Sequence, residues 1–433
     1  MQEKLDERLQ RALLAGGKVC IDSRAVRAGD IFFGLPGERF DGSQFAEKAI
    51  EAGAAVAVVR GAQYAMGEKT VVCDEPLRML QALAQWRRAR LRVPVVGITG
   101  SCGKTTTKEL LVAALSSTMR VAATEGNLNN DIGVPVTVAN LPQDIDIAVV
   151  EMGASHAGDI ASLCAIAAPT HGLITSIGRA HLEGFGDIEG VARAKGELFE
   201  YLKRMGGLAF VRDDDGRVKE AAERVHMGCM ALGYSLAGYH ASIAHGEASG
   251  LLELQVKVGG KEYALRTQLV GDYNAINVVA ALHVAYYFNV PLEAECRAIE
   301  AYAPSNHRSQ LLRTAHNRVV ADCYNANPSS MLASLDSFAR QGGKERWAIL
   351  GEMREMGAAS GAVHTEVAGR AEEVLPGRVL YVGEAFRGAV PAERWFADVE
   401  ALREHLRGAP IAGAEVLVKG SHGVGLEGAL GEL

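Results

Sequence analysis

Proline is scarce in this chain, 12 of 433 residues, and no Gly-X-Y period runs through it, so collagen-like and proline-rich low-complexity architectures are excluded. Long apolar runs are missing too: none reaches 18 residues, which argues against a membrane-spanning helix. The opening MQEKLDERLQRALLAGG mixes acids and bases around no apolar core and reads as neither a signal peptide nor a span. Positive charge is not in excess. Forty-five Lys and Arg against 52 Asp and Glu leave a net charge of −7, so no global field draws the chain to nucleic acid or to an anionic membrane. The seven cysteines are odd in number, scattered and never in a Cys-x-x-Cys pair, and a reduced, cytoplasmic chain without structural zinc is expected.

Glycine, by contrast, is abundant: 49 of 433 residues, where about 7% is usual. Such an excess points to tight turns and close backbone approaches. At about 100–200 residues per domain, the length suggests three domains. β-like runs at 30–33 and 55–59, with a helix near 45–52, predict a small N-terminal α/β domain over 1–90. Strand-like runs at 95–99, 147–150, 171–177 and 208–211 alternate with helical stretches, including one near 105–116, the alternation of a mostly parallel sheet. Near 251–269 the pattern turns to period two, then a strong helix spans 274–288, closing a central domain over 91–303. After a linker at 303–306, runs at 319–323, 347–351, 379–383 and 416–420 predict a Rossmann-like α/β domain over 304–433.

The strongest chemical signal is GITGSCGKTTTKE at 97–109. A strand ends, Gly100 and Gly103 let the backbone of Gly100–Gly103, Ser101 included, curl its N–H groups inward, and Lys104 supplies a point charge ahead of a helix N-terminus. Thr105 is placed to offer its hydroxyl to Mg²⁺, with Thr106 beside it. The full phosphate-loop pattern would require glycine at position 98, which is Ile98, so this is a G-x-x-G-K-T variant. A second strand ends in Glu151-Met152-Gly153, where a carboxylate beside the phosphate loop is either a Mg²⁺ ligand or a helix cap. On pattern alone, His181 is a structural histidine, and Lys195 is an exposed helix lysine paired with a neighbouring Glu.

Nine segments in order resemble the Mur ligase family, the ATP-dependent amide ligases of bacterial cell-wall precursor synthesis. They are DSRAVRAGDIFFGLPGERFDG at 22–42, the loop at 97–109, GNLNNDIGVP at 126–135, EMG at 151–153 and HLEGFGDIEGVARAKGE at 181–197. GDYNAINVVAA at 271–281, DCYNANPSSM at 322–331, LGEMREMG at 350–357 and VLVKGSHG at 416–423 complete the series. Within the family the residues look most like the members that join D-Ala-D-Ala to UDP-N-acetylmuramoyl-tripeptide. The Asp-Asn-Pro-Arg motif of diaminopimelate-adding tripeptide synthetases is absent.

The resemblance implies that Lys104 and Thr105 bind ATP phosphates and magnesium, and that Glu151 and His181 hold a pair of Mg²⁺ ions. It implies that Lys195 is carried as a carbamate, an anionic ligand for the second ion. Asn277 would meet the adenine, Asp322 the ribose and Arg308 the γ-phosphate, although the family usually has Gly-Arg where this chain reads His307-Arg308. Ser23, Arg24, Glu38, Arg39 and Asp41 would contact the UDP-sugar. Asn127, Asn130, Tyr324, Asn325 and Lys419 would contact the acceptor and the dipeptide. Both substrates would be small molecules, with neither nucleic acid nor membrane as partner, and the enzyme would be a monomer. Closure of the C-terminal domain about the segment 303–308 would bring the reactants together.

Overall fold

The computed structural model describes residues 5–37, 40–245, 250–258, 260–305, 307–340 and 345–433. Glu38 and Arg39, expected at the sugar, lie outside them. Four parallel strands, Val19–Cys20, Ile31–Phe33, Val56–Val59 and Thr70–Val72, form the N-terminal sheet in that order. Its long helix, Pro76–Arg88, starts on the proline, whose missing N–H costs nothing at a first turn. That helix packs against Gly133–Ala139 and Asp159–Ala167 of the central region, so the two regions share one hydrophobic core containing Leu80, Leu83, Val134 and Leu163. Arg87 and Arg88 are buried there rather than solvated. Their guanidinium groups donate to the carbonyls of Leu141 and Ala167, fastening the helix to two central-domain chain turns.

The central sheet has six strands, all parallel, in the order Ala231–Tyr234, Leu208–Arg212, His171–Ile174, Val95–Thr99, Ile147–Glu151, Val121–Ala123. Both faces are covered, as a parallel sheet requires, and successive residues alternate between two cores. Val96, Ile98, Ile147 and Val149 face the helices Lys104–Ser116 and Ala275–Tyr287. Val95, Ala148 and Val150 face Asp159–Ala167 and Ile188–Met205. The expected strand at 171–177 stops at Ile174, and Thr175–Gly178 instead form a loop that braces the phosphate loop. The period-two stretch is an antiparallel sheet of Ser242–His245, Leu252–Val258 and Lys261–Arg266.

The last sheet runs Gln310–Arg313, Arg318–Asp322, Glu415–Lys419, Arg346–Gly351, Val379–Val382, Trp395–Phe396, the first antiparallel and the rest parallel. It is docked on the central domain. Arg179 makes a two-pronged ion pair with Glu366, 2.7 Å on each arm, and Arg340 reaches Asp272 at 2.8 Å. The molecule is thus a three-part α/β structure in which the carboxyl ends of the parallel strands of the central and C-terminal sheets line one space, the position at which open α/β sheets bind ligands. Among the described residues no helix is long and apolar enough to cross a membrane.

Candidate active site

Between those strand ends lies a cavity of about 1070 Å³. Its floor is the phosphate loop. Gly100 has φ +147° and a Cβ there would meet Thr175 Oγ1 at 2.1 Å; Gly103 has φ +82° and a Cβ would meet Asn277 Oδ1 at 2.6 Å. Only glycine meets both demands, left-handed backbone and no side chain. The loop is held open by the segment after the neighbouring strand: Ser101 N donates to Ser176 O and Cys102 N to Ser176 Oγ. The helix beginning at Lys104 then presents its N-terminus, with Thr105 and Thr106 on the cavity wall. Lys104 Nζ donates to Gly100 O at 2.7 Å. Desolvation holds its ammonium below the ordinary lysine range, opposed by the nearby Glu151 carboxylate.

Glu151 ends the strand beside the loop and is only 1% exposed. Asn129 Nδ2 donates to its Oε1 at 2.7 Å, while Oε2 is buried with no hydrogen-bond partner. An orphaned carboxylate oxygen next to a phosphate loop is what a hard cation would satisfy. His181, in left-handed backbone at φ +51°, sits on the same wall, its Nδ1 paired with Glu355 of the C-terminal domain. With Nδ1–H directed at that carboxylate, Nε2 keeps its lone pair for a metal. Among the described residues no three His, Cys, Asp or Glu side chains converge on one metal position. A threonine hydroxyl and a modified lysine lie outside that set of donors.

Lys195 is the clearest departure from the pattern reading. It is 1% exposed, inside the helix Ile188–Met205, its Nζ near Ala154 O at 3.3 Å and 5.4 Å from the centroid of the Phe185 ring. Burial, helped by the charge of Lys104, brings its ammonium down to about 7. It stands behind Ala154, which lines the cavity, rather than in the wall itself. An amine that is half neutral near pH 7 is the form that takes up CO₂.

The C-terminal side supplies Arg308, Asp322, Tyr324, Asn325 and Lys419 to the same cavity. The Arg308 guanidinium lies 3.7 Å from the Tyr324 ring centroid, and His307 and Ser309 on either side are both left-handed, with φ +52° and +47°. Asp322 and Lys419, at paired positions of adjacent strands, form an ion pair at 2.5 Å with Lys419 2% exposed. Ser309 N donates to the other oxygen of Asp322 at 3.2 Å, tying the linker to the strand. Asn277 lines the cavity, but its amide is engaged by Thr107 Oγ1 at 3.2 Å and Asn274 Oδ1 at 2.9 Å. Asn127 and Asn130 also line the cavity, and Asn130 Oδ1 accepts from Gly133 N, the first residue of the helix Gly133–Ala139.

The N-terminal candidates lie apart from this cavity. Arg24 is exposed and forked onto Asp22, Ser23 is half-buried, and Asp41 caps the turn Gly42–Phe45. Asn327, at the end of the 324–327 stretch expected to meet the dipeptide and the acyl phosphate, and Glu355, which no sequence signal singles out, complete the site. Asn327, at the start of Pro328–Arg340, approaches Ser101 O and Cys102 Sγ, each at 3.4 Å, and Glu355 reaches His181 across the domain boundary. Glu355 has φ +63°, a conformation no residue pattern announces.

Three family models match the chain: the Mur ligase family catalytic domain over residues 18–88, the Mur ligase middle domain over 98–285 and the Mur ligase glutamate ligase domain over 307–422. A UDP-N-acetylmuramoyl-tripeptide--D-alanyl-D-alanine ligase of Synechocystis is 34% identical over 425 residues, 96% of this chain and 91% of the relative. The ligase of that name from Escherichia coli K12 is 33% identical, over 98% of this chain and 95% of its own length. Among solved structures, MurF from Acinetobacter baumannii superposes with TM-score 0.83 at 27% identity, covering 99% of this chain and 98% of its own. MurF ligase from Thermotoga maritima, solved with ADP, gives 0.82 at 26% identity, with 99% and 98% covered.

Proposed function

The chain belongs to the Mur ligase family, and from that premise we propose that it uses ATP to join D-Ala-D-Ala to UDP-N-acetylmuramoyl-tripeptide in peptidoglycan precursor synthesis. The observation that carries the reading is the single cavity in which a phosphate loop meets cationic and polar groups from the C-terminal domain. A carboxylate and an ammonium do not condense usefully in water, so the acid is activated first. The tripeptide carboxylate oxygen attacks the γ-phosphorus of ATP, ADP leaves, and an acyl phosphate results. The dipeptide amine attacks its carbonyl carbon, a tetrahedral intermediate collapses, and phosphate departs with the attacking carboxylate oxygen.

Lys104, the loop N–H groups and the helix N-terminus neutralise charge on the transferring phosphoryl group, and Arg308, backed by the Tyr324 ring, approaches it from the other domain. Thr105, Glu151, His181 and a carbamylated Lys195 are the residues that would hold magnesium, and the unpartnered Glu151 oxygen and the near-neutral Lys195 amine suit that task. Magnesium bound there would supply further charge neutralisation as phosphoryl transfer proceeds. Asn277 and Asp322 serve the adenosine, and Asn127, Asn130, Tyr324, Asn325 and Lys419 the acceptor and dipeptide. Ser23, Arg24, Glu38, Arg39 and Asp41 serve the UDP-sugar.

We assign residues 1–90 to sugar-nucleotide recognition, 91–303 to ATP and 304–433 to the dipeptide, in a cytoplasmic monomer. Docking of the C-terminal domain through Arg179–Glu366 and Asn327 brings its groups up to the phosphate loop. Phosphate release from ATP and UDP-tripeptide, measured with and without D-Ala-D-Ala, tests the reading. Strong dipeptide dependence is expected. Release that depends instead on a free amino acid would make the chain a different Mur-type ligase.

A further inference from the structure

Lys108 is a buried cation, 1% exposed, with no part in the phosphoryl transfer assigned to Lys104 and Arg308. It lies in the helix Lys104–Ser116, one turn after Lys104, on the face that also carries the fully buried Leu111 and Leu115. An apolar side chain would pack on that face without electrostatic cost, whereas a buried ammonium is expensive unless its donors are used. Two contacts use them: Nζ donates to Thr124 O at 2.7 Å and pairs with Glu109 Oε1 at 2.8 Å. Glu109 is 40% exposed, so water screens that pair. The carbonyl contact is buried on both sides, and only a donor can make it.

We propose that Lys108 is a positioning residue for the magnesium carboxylate: by holding the Thr124 carbonyl it sets the turn that orients Glu151. This rests on the role given to Glu151 in the ligase reading. The strand Val121–Ala123 ends just before Thr124, and the chain then passes to the cavity wall at Asn127, Asn129 and Asn130. Thr124 is tied three ways. Its N–H donates to Val149 O at 3.0 Å, its Oγ1 accepts from Glu151 N at 3.0 Å, and its carbonyl takes the Lys108 ammonium. Further along, Asn129 donates from Nδ2 to Glu151 Oε1 at 2.7 Å, and its carbonyl accepts from Gly153 N at 2.7 Å. The turn 124–129 is therefore clamped on Glu151 at both ends, on the backbone at one and the carboxylate at the other, while Oε2 keeps no protein partner. Without the ammonium a buried carbonyl is left unpaired, and the turn relieves that cost by moving. Asn129 moves with it, and a metal carboxylate is only as well aimed as the hydrogen bonds that support it.

The test is Mn²⁺ binding to the enzyme–ADP complex, followed by loss of the electron paramagnetic resonance signal of the free ion, in the wild-type chain, Lys108→Met, Thr124→Val and Glu109→Gln. ADP affinity without metal is measured alongside by calorimetry. Lys108→Met should raise the Mn²⁺ concentration at half-saturation about tenfold, with metal-free ADP affinity little changed. Glu109→Gln should move neither. Thr124→Val removes the hydroxyl link to Glu151 N and nothing of Lys108; it should shift the midpoint in the same direction, and an unchanged midpoint there overturns the proposal whether or not Lys108→Met folds. An unchanged midpoint in Lys108→Met overturns it as well. So does an equal shift in Glu109→Gln, which would make the ion pair the working contact, or an equal loss of metal-free ADP affinity, which would make Lys108 a support of the whole phosphate loop. A wild-type ADP complex that takes up no Mn²⁺ removes the metal role of Glu151 and the proposal with it. The ligase reading fails separately, by absence of dipeptide-dependent phosphate release in the wild-type chain, because the binding midpoints need no turnover.

Discussion

The Asp322–Lys419 pair joins the adenosine side of the cavity to the core of the C-terminal sheet, and its two ends are unequally supported. Lys419 is 2% exposed and donates to Asp322 Oδ2 at 2.5 Å. Asp322 also accepts from Ser309 N at 3.2 Å and stands 3.5 Å from Ser334 Oγ. Removing one partner of a buried pair costs about 3–5 kcal/mol, mostly through the charge left behind, whereas removing both together costs far less. Asp322→Asn strands a buried ammonium and should therefore lose about 3–4 kcal/mol. Lys419→Met leaves a carboxylate that keeps two other donors and should lose about 2 kcal/mol, less than the full figure. The double variant should fall well short of the sum, with a coupling of about 2 kcal/mol or more. Urea unfolding followed by tryptophan fluorescence is the assay, because Trp347 and Trp395, two of the three tryptophans, lie in the C-terminal sheet. Additive losses, or an Asp322→Asn cost below about 1 kcal/mol, would refute the pairing argument.

Lys195→Arg keeps the charge but cannot be carbamylated, and turnover should fall by orders of magnitude; near-normal turnover sinks the carbamate. In metal-free, CO₂-free buffer the same lysine predicts a pH effect on stability. Its folded value, lowered to about 7 from 10.5, means that the unfolded chain binds more protons between those values. Wild-type stability relative to Lys195→Met should therefore rise by about 1.4 kcal/mol per pH unit above about pH 7, and a flat difference contradicts the burial argument. Glu151→Gln removes the unpartnered anionic oxygen, and the magnesium needed for half-maximal activity should rise at least about tenfold. Gly103→Ala forces a left-handed alanine against Asn277, with a stability loss of about 1–2 kcal/mol and weakened ADP binding by calorimetry.

What was legible in sequence was local. The phosphate loop occupies 13 consecutive residues in which strand, glycines, lysine and helix start follow one another, so its chemistry is written in adjacent positions. The carboxylate at Glu151 was readable because a buried strand of five residues ends on it. Strands of two or three residues, such as Val19–Cys20, Val121–Ala123 and Trp395–Phe396, are too short to carry a period and emerge only from their pairing partners. Lys195 reads as a surface charge, and nothing local marks Arg87 and Arg88 as buried, because burial depends on what packs over a helix. For the arginines that is carbonyls 54 and 79 residues away, and for Lys195 it is Ala154, 41 residues away. The contacts between His181 and Glu355, and between Asn327 and the phosphate loop, join different domains, so no local pattern could announce them.

The central claim is activation of the tripeptide as an acyl phosphate, and oxygen tracing tests it most directly. UDP-tripeptide labelled with ¹⁸O in its terminal carboxylate, incubated with enzyme, ATP and D-Ala-D-Ala, should deliver one labelled oxygen into each phosphate released as amide forms. Amide formation accompanied by unlabelled phosphate would contradict the account.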